Sequence, residues 1–167
     1  VQIIRGIVNQ KAVVPIPELN NYGLLPPGKY DCTLDEIKAR FSQANHRPKR
    51  EELWKLLIDY LALIRPIGIV VAVYVDGSFI TDKTVPSDID LVLEMPPPSM
   101  AVLNALMRSE FEHDHVKSLY KMDIWFWYPD APAENDWVGF FQELKAKDLV
   151  RLHLKPDARK GILRVVL

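Results

Sequence analysis

Between Lys49 and Gly68 the apolar residues Leu53, Trp54, Leu57, Leu61 and Ile64 recur at three- and four-residue intervals. That is the stripe of a helix buried along one side, and Pro66 and Gly68 mark its end. A shorter helix opens at CTLDEIKARF, where Thr33 and Glu36 have the spacing of a capping box and Cys32 and Ile37 that of a hydrophobic staple. The period then changes to two. IVVAVYV (residues 69–75) and DIDLVLE (88–94) read as strands. So does VKSLYKMDIWFWY (116–128), in which Met122, Ile124 and Phe126 alternate with Asp123, Trp125 and Trp127. Pro96-Pro97-Pro98 stops the second strand and Ser99 caps a helix over MAVLNALMRSEF; a further helix covers DWVGFFQELKAK. LVRLHL and GILRVVL around PDARKG read as a terminal β-hairpin. Helices and strands in this order predict an α+β or α/β domain, a mixed sheet flanked by helices.

The first 30 residues lack either period. PIPELNNYGLLPPGKY reads as an extended arm over a surface, with a short strand at VQIIRGIV. The expected organisation is an arm at 1–30 and one domain at 31–167 that ends in the hairpin. At 167 residues, 49% hydrophobic and 26% charged, the chain can bury a substantial core. No apolar run has the length of a bilayer span, and one cysteine, Cys32, excludes an intrachain disulfide or a cysteine metal cage. A reducing, cytoplasmic setting is expected, with Cys32 as a packing residue.

Chemistry concentrates in YVDGSFITDKTVPSDIDLVLE (74–94). Asp88 and Asp90, two apart on a strand, project their carboxylates to one side. Two like charges so placed call for a cation, and Mg²⁺ suits one or two carboxylates completed by phosphate oxygens. Gly77 lets the backbone approach a ligand, and Ser78 adds a hydroxyl beside free N–H groups. The LVLE that follows the Asp pair argues against a helix N-cap there. Asp123, flanked by apolar residues, belongs in a cleft or at a metal. Three aspartates on neighbouring strands suit two ions, one on a triphosphate and one activating a hydroxyl, with Asp123 as a candidate proton acceptor.

Gly77-Ser78, then Asp88-Ile89-Asp90, then Asp123 on a later strand resembles the signature of the polymerase-β-type nucleotidyltransferase superfamily. GLLPPGKYDCTLDEI, DGSFITDK and KGILRVVL are similar to a bacterial and phage group of small stand-alone nucleotidyltransferase-like proteins. The resemblance implies the nucleotidyltransferase fold, with Gly77 and Ser78 holding the β- and γ-phosphates of an NTP. It implies that Asp88, Asp90 and Asp123 bind two Mg²⁺ (or Mn²⁺) ions. The implied reaction moves an NMP to a hydroxyl of tRNA or protein with release of pyrophosphate, in a toxin–antitoxin or phage-defence setting. A non-catalytic nucleotide- or partner-binding module and a small-molecule, antibiotic-type nucleotidyltransferase are the alternatives. The acceptor, the choice among ATP and the other NTPs, and assembly with a partner protein or a second copy stay open.

Other features weigh less. Lys83, in FITDKTVP, is a candidate phosphate contact or a solvated lysine. His113 and His115 beside Asp114 read as a solvated loop, with a metal site as the alternative. Trp125 and Trp127 share the face of Asp123, where core packing is expected over base stacking. His46, Arg47, Lys49 and Arg50 precede a helix whose positive end does not favour them; an exposed loop is the default and a phosphate contact the alternative. Residues 76–136 hold twelve acidic against four basic side chains, and residues 145–167 seven Lys/Arg against two acids. Either the two segments present solvated faces or an acidic metal site adjoins a basic surface in which Lys155, Arg159 and Lys160 contact RNA.

Overall fold

The computed structural model describes residues 16–43 and 47–167. VQIIRGIV and His46 lie outside the described residues. The elements are β1 (Gly28–Asp31), α1 (Leu34–Ile37), α2 (Pro48–Ile64), β2 (Ala72–Asp76), β3 (Ile89–Glu94), α3 (Met100–Leu106), α4 (His113–Tyr120), β4 (Met122–Trp127), α5 (Trp137–Gln142), α6 (Ala146–Arg151) and β5 (Gly161–Val166). The strands form one mixed sheet in the order β1-β5-β2-β3-β4. β1/β5 and β3/β4 are parallel, while β5/β2 and β2/β3 are antiparallel. The fold is therefore mixed α+β, with helices flanking a five-stranded sheet. Among the described residues no helix is long and apolar enough to cross a membrane.

Strand alternation divides the sheet into two covered faces. Val73, Val75, Ile89, Leu91, Leu93, Met122, Ile124, Leu163 and Val165 enter the main core with Leu53, Leu57, Tyr60, Leu61 and Ile64 of α2 and Val116 of α4. The other face carries Tyr74, Val92 and Ile162 beneath Val138 of α5, rimmed by Trp125, Trp127, Trp137 and Phe141. Both faces are shielded, which explains why β2 is buried at every position.

The expected capping box is present. Glu36 N–H donates to Thr33 Oγ1 (3.2 Å), and Thr33 N–H to Glu36 Oε2 (2.7 Å). α2 runs as its stripe predicts, and Gly68 closes the following turn at φ 74°. Ser99 caps α3 by accepting from Val102 N–H (3.3 Å).

Three expectations are corrected. Residues 116–120 are helix, not strand; α4 ends at Lys121 in the left-handed conformation (φ 59°), and β4 starts at the next residue. Residues 146–151 are helix, so there is no terminal hairpin: β5 pairs with β1 and β2 instead. The arm is not merely extended over a surface, because Ile16 and Leu25 are buried in the main core and residues 28–31 form edge strand β1.

Candidate active site

The register of β2, β3 and β4 sets three carboxylates in a row: Asp76 lies opposite Asp90, and Asp90 opposite Asp123. Their chain neighbours Val75, Leu91 and Ile124 point into the main core, so all three project from the α5 face. Asp88 stands one residue before β3, and the strand rule therefore does not place it beside Asp90. A lysine connects it to the row. Lys117 Nζ lies 2.7 Å from Asp123 Oδ2 and 3.7 Å from Asp88 Oδ2.

Each carboxylate has a different electrostatic setting. Asp76 is buried and ion-paired with Lys160; burial pushes its carboxyl upward against the pull of that ammonium. Asp90 has no ion-pair partner among the described residues. Burial first, then the charges of Asp76, Asp88 and Asp123, raise its carboxyl to about 6. Burial also pushes Asp123 upward, but bonds from Lys117 and from His113 (Nε2 to Oδ1, 2.7 Å) bring it below the ordinary carboxylate range. So held, Asp123 is a weak base, which disfavours it as the proton acceptor. His113 Nδ1 also lies 3.0 Å from Asp114 Oδ1, and its two carboxylate partners raise the imidazole.

The turn between β2 and the following loop is shaped by what lies behind it. Gly77 adopts φ 82°, ψ −166°, a region essentially reserved for glycine, and a Cβ there would overlap Asp90 Oδ2. The glycine thus lets Asp90 approach the turn, besides any ligand. Among the described residues the Ser78 hydroxyl has no hydrogen-bond partner, while its carbonyl accepts from Thr81 Oγ1 (2.8 Å).

The loop itself hangs on Arg50. This side chain is 1% exposed and donates to the carbonyls of Phe41 (3.1 Å), Phe79, Ser78 (3.4 Å), Thr81 (2.7 Å) and Lys83 (2.5 Å). Expected as an exposed loop residue or a phosphate contact, Arg50 is instead an internal clamp. Its position was a signal: it lies three and four residues before Leu53 and Trp54, on the same buried stripe of α2. Lys83 gives its carbonyl to Arg50, and no contact ties its ammonium to the carboxylates.

The structure thus brings together Asp88, Asp90, Asp123, Gly77 and Ser78 and leaves Lys83 at the loop surface. It adds Asp76, Lys117, His113 and Lys160. His113 is not in a solvated loop: it is the first residue of α4, whose N-cap Glu112 accepts from Asp114 and His115 N–H. Of the proposed RNA patch, Lys160 is bound to Asp76, and Arg159 to Glu143 (3.1 Å) and the Gly139 carbonyl (3.2 Å). With Arg164 gripping Glu94 through Nε (2.8 Å) and Nη2 (3.0 Å), the basic tail neutralises part of the acidic middle within the fold. Trp125 stacks on Trp137 at 4.2 Å between centroids, and Trp127 meets Tyr74 edge-on at 5.8 Å. As expected, these rings pack rather than lie open.

Among the described residues no three His, Cys, Asp or Glu side chains form a group able to hold a metal ion by themselves. The donors that remain, Asp90 and Asp88, suit a hard cation that takes two carboxylates and completes its shell with water and phosphate oxygens.

A family model described as "Family of unknown function (DUF6932)" matches residues 17–166. No curated protein and no solved structure matches the chain.

Proposed function

The chain belongs to the DUF6932 family, and from the carboxylate row and its glycine turn we propose that it is a nucleotidyltransferase. It transfers an NMP from an NTP to a hydroxyl of a macromolecule, tRNA or protein. The observation that carries this reading is the line of Asp76, Asp90 and Asp123 across three adjacent strands, with Asp88 and the Gly77-Ser78 turn at its mouth.

In this reading Asp90 and Asp88 hold a divalent cation, which when bound offsets the charge of the triphosphate. Ser78 offers its hydroxyl to phosphate oxygens, and Arg50 keeps the loop from collapsing onto that position. The acceptor oxygen forms a bond to the α-phosphorus as the bond to the β-phosphate oxygen breaks; pyrophosphate leaves and the hydroxyl proton passes to solvent. The positive side chains beside Asp123 stabilise charge where the acceptor enters.

One observation favours a second reading. Both oxygens of Asp123 are engaged, by Lys117 and by His113, as suits a module that binds nucleotide without transferring it. Incubation of the protein with each α-labelled NTP, Mg²⁺ or Mn²⁺, and total tRNA or lysate protein separates the two. Label that enters an acceptor and disappears in Asp88→Ala/Asp90→Ala supports transfer. Nucleotide binding without label transfer, lost in the same variant, supports the binding module. Binding that the double variant retains refutes the site.

A further inference from the structure

Resting on the nucleotidyltransferase reading, we propose that Lys117 takes the place of a second metal ion, so that the centre works with one divalent cation rather than two. The ammonium lies between two of the carboxylates that a second ion would need, 2.7 Å from Asp123 Oδ2 and 3.7 Å from Asp88 Oδ2. The other Asp123 oxygen receives His113 Nε2 at 2.7 Å, so each Asp123 oxygen is already engaged and a second ion there would compete with a fixed donor.

The placement is built in. His113 and Lys117 are four residues apart on α4 and so share one helical face. Val116, between them in sequence and fully buried, anchors that helix in the main core. Lys121 N–H donates to the Lys117 carbonyl (3.1 Å), and β4 begins one residue later at Met122, directly before Asp123. Lysine and aspartate are therefore joined by a short, ordered connection.

The ion pairs fit the same picture. Asp76 is paired with Lys160 and Asp123 with Lys117, while Lys145 acts on Asp76 and Asp90 from further off. Asp90 and Asp88 are then the less tightly held carboxylates, suited to one divalent cation. The fixed ammonium then serves the acceptor side of the reaction, where a second ion would otherwise offset charge on the transferring phosphate.

Mn²⁺ stoichiometry tests this independently of turnover. The whole protein is titrated with Mn²⁺ in the presence of an NTP analogue blocked between the α- and β-phosphates, and bound ion is followed by electron paramagnetic resonance. Wild type is expected to bind one Mn²⁺ per chain and Lys117→Met two, with circular dichroism checking that the variant is folded. Two ions in the wild type, or one in both proteins, overturns the inference and leaves the transferase reading standing. No bound ion in either protein, despite intact folds, removes the metal–nucleotide site itself and both proposals with it.

Discussion

Replacing Arg50 by methionine keeps most of the aliphatic volume on the buried stripe of α2 and removes every donor. Five carbonyls lose a donor, four of them in residues 78–83, and of these Ser78 keeps the one from Thr81 Oγ1. Hydrogen bonds to a charged group contribute about 1.5–3 kcal/mol each, and a buried acceptor left unpaired costs about 1–3 kcal/mol. These contributions do not add here. The guanidinium is itself costly to bury, enough that its pKa is pulled down to about 10, and its Nε finds no acceptor. Some freed carbonyls in the loop also turn to water. The expected net loss is that of breaking a buried charged network from one side, about 3–5 kcal/mol. Against a domain stability of roughly 5–15 kcal/mol this is a large fraction.

Urea denaturation of wild type, Arg50→Met and Arg50→Lys measures it. Lysine retains the charge and can serve some of the carbonyls, so it is expected to fall between the other two. Hydrogen exchange supplies the spatial readout: faster exchange in Arg50→Met should concentrate at residues 78–83 and 41–43, with the centre of the sheet comparatively protected. A loss below about 1 kcal/mol, with exchange at 78–83 unchanged, would refute the claim that Arg50 holds the loop.

Other consequences are equally direct. Gly77→Ala forces an alanine into φ 82° and drives its Cβ onto Asp90, so a loss of roughly 1–3 kcal/mol or more is expected in thermal melts; unchanged stability would contradict the geometry of the turn. Lys160→Met leaves Asp76 buried without its cation and should cost about 3–5 kcal/mol at pH 8. The deficit should shrink at pH 5 as the carboxyl takes up a proton, and a pH-independent deficit would count against the pair. Asp90→Asn should stabilise the protein in the presence of a chelator. Because its folded pKa, about 6, exceeds the unfolded value near 4, ionisation of Asp90 opposes folding fully above pH 6 and not at all below pH 4. The gain at pH 8 is therefore on the order of 2–3 kcal/mol and fades as pH falls through 6 towards 4; a destabilised Asp90→Asn at pH 8 would reverse that sign.

Elements with a strong local period were legible from the chain. The α2 stripe, the Thr33–Glu36 capping box, Ser99 and the apolar halves of β2, β3 and β4 depend on neighbours within a few residues, and each appears where its pattern places it. The segment 146–151 was misread because Leu149, Val150 and Leu152 look β-like while the chain folds 146–151 into a short helix that precedes β5. Residues 113–120 failed for a related reason. The alternation around Asp123 was extended backwards through VKSLY, although a single left-handed residue, Lys121, lets helix give way to strand without glycine or proline.

That misreading hid half of the site. As a strand, 116–120 would put Lys117 on the face of Asp123 but about 20 Å along the chain from it, out of reach. As a helix it pairs His113 with Lys117 on one face and delivers both to the same carboxylate. Asp76 and Lys160 were out of reach for another reason. Asp76 joins the row only through the antiparallel register of β2 with β3, and Lys160 reaches it from 84 residues away in sequence. Motif spacing identifies acids that lie close along the chain; register and helix phase determine which cations answer them. On the one-cation proposal, those cations and not the count of aspartates alone set how many metal ions the centre would take, which is why Lys117→Met is the variant that tests it.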